Sequence, residues 1–127
     1  MRVFVVRHAE AAAGEPDELR RLTHAGLETA RALGERLAAE RPQAVLSSPL
    51  LRARETAEQI ARPAGLTVEP DDRLAPCATT DTLREALRGR DGTVVAVGHQ
   101  PDCGEIVLEL TGHAFAFPPG GVAEVEL

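Results

Sequence analysis

The sequence predicts an α/β fold, and three observations carry that expectation. Short apolar runs of strand length alternate with longer stretches whose apolar residues recur at helical spacing. The clearest run, Thr93-Val94-Val95-Ala96-Val97, is continuously apolar, as expected of a parallel strand covered on both faces. The last run, Val122-Ala123-Glu124-Val125-Glu126-Leu127, alternates as a half-exposed edge strand does. The expected architecture is a three-layer α/β/α sandwich on a mostly parallel central sheet, with residues 1–127 forming one domain.

The elements follow in order. Residues 2–6 read as the first strand and 9–22 as a loop around Gly14 and Pro16. Thr23 is placed to cap a helix reaching about Glu40, with Leu27, Ala30, Leu33, Gly34 and Leu37 on its buried side. Ala44-Val45-Leu46 is a short buried strand. Ser48 and Pro49 suit the start of the next helix, whose stripe is Leu50, Ala53, Ala57 and Ile60 and whose stop is Gly65. Leu66-Thr67-Val68 reads as a third strand and 70–80 as a loop. A helix of about ten residues carries Leu83, Ala86 and Leu87. After the 93–97 strand and Gly98-His99-Gln100-Pro101, a last helix runs to about Thr111, stopped by Gly112.

Composition narrows the function. A formal net charge of -6 and 2% aromatic residues argue against a nucleic-acid partner, which needs a basic face and stacking surfaces. No apolar run approaches a membrane span, so no membrane partner is expected. The N-terminal apolar stretch ends at Arg7, too short for a signal peptide, and the default expectation is a cytoplasmic monomer. Cys77 and Cys103 lack metal-type spacing and read as two buried or half-buried thiols.

The functional signal lies where strands end. Open α/β sheets bind ligands just beyond the carboxyl ends of their strands. The first strand exits into Arg7-His8, the second leads to Arg52, and the 93–97 strand exits into Gly98-His99. Parallel strands bring these exits to one edge. Arg52 falls in the first turn of its helix, where a cation is disfavoured unless an anion docks beside it. The blander reading pairs Arg52 with Glu55; Arg54 is expected to pair with Glu58. Gly98 is expected to permit a sharp turn or close approach of a ligand. His24 and His113 are expected at the surface.

These residues resemble the histidine phosphatase superfamily, which includes the phosphoglycerate mutases. The matching pieces are Arg7-His8-Ala9-Glu10, Ser48-Pro49-Leu50-Leu51-Arg52-Ala53-Arg54-Glu55-Thr56-Ala57 and Val97-Gly98-His99-Gln100-Pro101. Arg20-Arg21-Leu22-Thr23-His24-Ala25-Gly26 and Leu74-Ala75-Pro76-Cys77 look most like the bacterial phosphohistidine phosphatase branch called SixA-type. The resemblance implies a phosphoglycerate mutase-like fold and no metal or other cofactor. It makes His8 the nucleophile, Arg7, Arg52 and His99 the phosphate pocket, and Arg20 an accessory contact. Ala9 departs from the glycine found in many members. The chain also stops soon after its last predicted strand, so any C-terminal segment used by relatives is expected to be missing.

The chemistry stands on the residues as well. A neutral imidazole, its tautomer held by a backbone carbonyl, can attack phosphorus and form a phosphohistidine that water hydrolyses. Arg7, Arg52 and a protonated His99 are expected to carry the equatorial charge. Mutase-like relatives place an acidic glutamate in a Leu-x-Glu segment, where this chain reads Leu74-Ala75-Pro76. An alkoxide needs such an acid, whereas an imidazole leaves more easily. Protein phosphohistidine, as on a histidine phosphotransfer domain, is therefore the expected substrate. The alternatives are a broad small-molecule phosphomonoesterase, with Glu10 or Asp81 as acid, and a phosphate- or phosphohistidine-binding module without turnover.

Overall fold

The computed structural model describes residues 1–127. Five strands form one sheet: β1 (Arg2–Arg7), β2 (Ala44–Ser47), β3 (Val68–Pro70), β4 (Thr93–Gly98) and β5 (Val122–Glu126). Their spatial order is β3-β2-β4-β1-β5. All neighbours pair in parallel except β5, which closes one edge antiparallel to β1. Four helices connect them: α1 (His24–Ala38), α2 (Leu51–Ala64), α3 (Thr80–Leu87) and α4 (Asp102–Thr111).

Strand alternation assigns the layers. Phe4, Val6, Val45, Val95 and Val97 point to the face covered by α1 and α2, through Leu33, Leu37, Ala53, Ala57 and Ile60. Val3, Val5, Leu46, Val94 and Ala96 point to the other face, against Leu83 and Leu87 of α3 and Ile106 and Val107 of α4. Both faces of the central strands are thus buried, which is why the 93–97 run has no polar alternation. Gly34 lets α1 close onto α2: a Cβ there would collide with the backbone carbonyl of Gln59. The three layers are those of the expected sandwich.

Several boundaries differ from expectation. Helix α1 stops at Ala38, because Ala39 and Glu40 turn back onto Leu37 through backbone bonds, rather than reaching Glu40. The third strand is Val68–Pro70, not 66–68, because Gly65 in the left-handed region delays it and Val45 pairs with Val68. Helix α2 starts at Leu51, so Pro49 precedes its first turn, and α3 has 8 residues rather than about ten. The loop at 9–22 carries a 3-10 turn, Asp17–Leu19, and a bridge between Ala11 and Leu22. Thr23 does cap α1, accepting from Gly26 N, and Gly112 ends α4 in the left-handed region. Cys103 is buried, its thiol pushed up to about 12 mainly by burial, but Cys77 is exposed, unlike the expectation.

Candidate active site

Strand register builds the site. Arg7 of β1 pairs with Gly98 of β4, and Ser47 of β2 pairs with Val97, so three exits lie at one level. Backbone bonds continue the pairing: His8 N donates to Gly98 O (3.0 Å) and Ser48 N to Val97 O (2.9 Å). The His8 and His99 rings consequently meet edge to face with centroids 5.2 Å apart. Gly98 ends β4 in strand conformation, so the sharp turn offered by the sequence does not form; a Cβ there would meet Cys103 and Leu74 at ordinary contact distance.

A cleft of about 400 Å³ opens at this edge, lined among others by Arg7, His8, Glu10, Arg20, Arg52 and His99. All five residues picked from the sequence as nucleophile or phosphate ligands line it. Three guanidiniums face one carboxylate, that of Glu10, so the cleft is locally positive in an acidic protein. His24 and His113 are exposed and lie outside it, as does Asp81, which is exposed at the start of α3.

Each side chain is held by an identifiable partner. His8 Nδ1 lies 2.7 Å from Ala9 O; a carbonyl only accepts, so Nδ1 carries the proton and Nε2 keeps its lone pair. Ala9 N in turn donates to Thr56 Oγ1 (3.0 Å), whose hydroxyl donates to Arg52 O (2.8 Å). One buried hydroxyl therefore ties the His8 loop to the helix that carries Arg52. Arg7 Nη1 donates to Phe117 O at 2.9 Å. Arg52, only 6% exposed, gives Nη1 to Asp17 O (2.9 Å) and Nη2 to Asp17 Oδ2 (3.3 Å). Arg20 Nε donates to Asp17 Oδ1 at 2.9 Å. The buried Nε atoms of Arg7 and Arg52 have no acceptor within the protein.

The alternative pairings do not form. Glu55 accepts from Arg21 and from Leu22 N, anchoring the 9–22 loop on α2, so it is not the partner of Arg52. Arg54 donates to Pro49 O, while Glu58 pairs with Arg62.

Electrostatics keeps both histidines neutral. Burial, then the guanidiniums of Arg52, Arg7 and Arg20, lower the His8 pKa, opposed by its bond to Ala9. Burial first, then the neighbouring His8 and Arg52, bring His99 down to about 4. His99 is thus not the cation expected in the resting cleft, because burial penalises its charged form and the neighbouring His8 and Arg52 add to that penalty. Its Nε2 lies 2.8 Å from Ser48 Oγ. Ser48 also accepts from Leu50 N at 3.2 Å, but it does not cap α2 as expected: Leu50 is the N-cap, so Ser48 lies ahead of the helix and serves the turn and His99 instead.

Thr56 and Asp17 were given no role from the sequence, while Ser48 was expected only as a cap and Glu55 only as a partner for Arg52. Thr56 had a signal: it falls on the buried stripe of α2, four residues after Arg52, where a hydroxyl must find partners. Asp17 stands three residues before Arg20, a spacing that allows an ion pair. The carbonyl of Phe117 had none.

A mostly parallel α/β/α sandwich that presents an oriented imidazole among guanidiniums beyond its strand ends defines a phosphoryl-transfer enzyme of the phosphatase class. The chain belongs to the histidine phosphatase superfamily: the model of its branch 1 matches residues 3–86. It is 32% identical to the phosphohistidine phosphatase SixA of Escherichia coli (strain K12), covering 87% of this chain and 74% of that protein. The solved structure of the protein histidine phosphatase SixA complexed with tungstate superposes with a TM-score of 0.88 at 30% identity, covering 100% of this chain and 88% of the other. A mycobacterial glucosyl-3-phosphoglycerate phosphatase complexed with VO3 shares the fold at 17% identity and a TM-score of 0.76, covering 97% and 90% of the two chains. No helix is long and apolar enough to cross a membrane.

Proposed function

We propose that this phosphatase removes phosphate from protein phosphohistidine through a covalent intermediate on His8. The observation that carries the reading is the 2.7 Å contact from Nδ1 to Ala9 O, which leaves Nε2 as the nucleophilic nitrogen in a guanidinium-lined cleft. Nε2 attacks phosphorus as the bond to the substrate's imidazole nitrogen breaks, and that imidazole leaves with the shared electron pair and takes up a proton. Water then attacks phospho-His8, releasing inorganic phosphate and restoring the neutral ring.

Arg7, Arg52 and Arg20 supply donors to the equatorial oxygens, and neutral His99 supplies one N–H. The unpartnered Nε–H groups of Arg7 and Arg52 are suited to donate to phosphoryl oxygens. With these cations the step needs no metal. Pro76 lines the cleft where a mutase-like acid is expected, which favours a phosphoramidate whose leaving group is an imidazole.

A second reading, a phosphomonoesterase with Glu10 as acid, draws on the one carboxylate that lines the cleft; its Oε1 accepts from the Thr23 hydroxyl at 2.7 Å. Two measurements decide. A 32P label from a phosphohistidine protein should be trapped on the wild-type enzyme and absent from His8→Ala; an unlabelled wild type would reject the intermediate. Turnover of that donor should exceed turnover of small phosphate monoesters and survive Glu10→Gln. Faster monoester hydrolysis that collapses in Glu10→Gln would favour the second reading.

A further inference from the structure

We propose that Asp17 is a built-in anion that both positions the two cleft arginines it touches and limits how tightly the cleft retains free phosphate. The inference rests on reading the cleft as a phosphoryl site. Asp17 opens the 3-10 turn Asp17–Leu19 and does not itself line the cleft, yet it bonds two residues that do. Its backbone oxygen and Oδ2 take one bond from each terminal nitrogen of Arg52, and its Oδ1 takes Nε of Arg20.

The pattern on Arg52 is informative. Both terminal nitrogens are engaged by Asp17, while the buried Nε has no acceptor. Asp17 thus grips the end of the fork and leaves its side edge, Nε with one terminal N–H, for an oxyanion. Arg52 is also nearly buried, and Asp17 is its ion-pair partner. The carboxylate stays ionised, held below its usual range first by the hydrogen bond from Arg20 and further by Arg52. Its field reaches the cleft, where it raises the proton affinity of His99 against the effect of burial.

A bound phosphate therefore shares its guanidiniums with a resident negative charge. The orientation gained from Asp17 comes with repulsion, which weakens retention of the product. The two effects separate by mutation. Asp17→Asn removes the charge but leaves the backbone bond to Arg52, and Arg20 keeps its bond to Ala12 O at 3.2 Å. The side chain is 65% exposed, so the fold should tolerate the change.

The test is calorimetric titration of inorganic phosphate into wild type, Asp17→Asn and Asp17→Ala, with thermal unfolding as a control for folding. Both variants should bind phosphate about three- to tenfold more tightly, the gain shrinking as salt rises. In turnover, Asp17→Ala should lower kcat, and Asp17→Asn, which keeps an acceptor for the arginines, should restore part of it. A merely structural Asp17 would instead weaken phosphate binding and lower the melting temperature. Unchanged or weaker phosphate affinity in both variants, with wild type binding measurably, overturns this inference alone. A wild type that binds no phosphate overturns the phosphoryl-site reading with it.

Discussion

Replacing Thr56 with valine tests whether a residue remote from the reacting atoms sets the nucleophile. Thr56 is fully buried and nearly isosteric with valine, so the change removes a hydroxyl and little else. Two hydrogen bonds disappear: Ala9 N to Oγ1 at 3.0 Å and Oγ1 to Arg52 O at 2.8 Å. The Ala9 amide is left buried without an acceptor, which costs about 1–3 kcal/mol. In a chain of this size that lowers the melting temperature by roughly 3–6 °C per kcal/mol.

The functional effect follows from the same residue. The Ala9 carbonyl, in the next peptide unit, holds His8 Nδ1, so an Ala9 backbone released at its amide loosens the imidazole. A misplaced nucleophile reduces kcat by about 10²-fold for a shift near 1 Å. Thr56→Ser keeps the hydroxyl and loses one methyl, costing about 1 kcal/mol of stability with turnover preserved. The assays are urea unfolding and turnover of a phosphohistidine protein, run on both variants. Valine and serine variants with equal activity and equal stability would refute the claim that this hydroxyl orients His8.

Two further outcomes follow from the site. Ser48→Ala deprives His99 Nε2 of its buried partner at 2.8 Å, so kcat should fall about tenfold in phosphohistidine turnover, more than KM changes. Acidification should destabilise the fold: His8 and His99 are both depressed in the native state, so the unfolded chain binds more protons. For His99 the loss begins as pH falls through 6.5 and is complete near 4, and urea midpoints of His99→Gln should show a flatter pH slope over that window than wild type.

The strand and helix segments and both strand-exit histidines were legible in the sequence because they depend on local signals. Apolar period, caps such as Thr23 and stops such as Gly65 and Gly112 are written within a few residues of where they act. The convergence of residues 7, 52 and 99 was also accessible, since parallel strands must end on one edge and the exits carry the chemistry. Arg52 in the first turn of α2 was readable for the same reason: its position conflicted with the helix dipole unless an anion lay nearby.

Tertiary structure alone decided who holds whom. Glu55 was a reasonable partner for Arg52 by spacing, yet it faces the 9–22 loop and takes Arg21 and Leu22 N, while Asp17, 35 residues away, takes Arg52. Carbonyls such as Ala9 O and Phe117 O act through backbone position, which no side-chain pattern encodes. The charge state of His99 likewise depends on burial and on arginines brought from distant segments. Local sequence determines elements because their hydrogen bonds and apolar faces are local; the site's orientation and protonation arise from long-range packing, where each partner is chosen by geometry rather than by spacing.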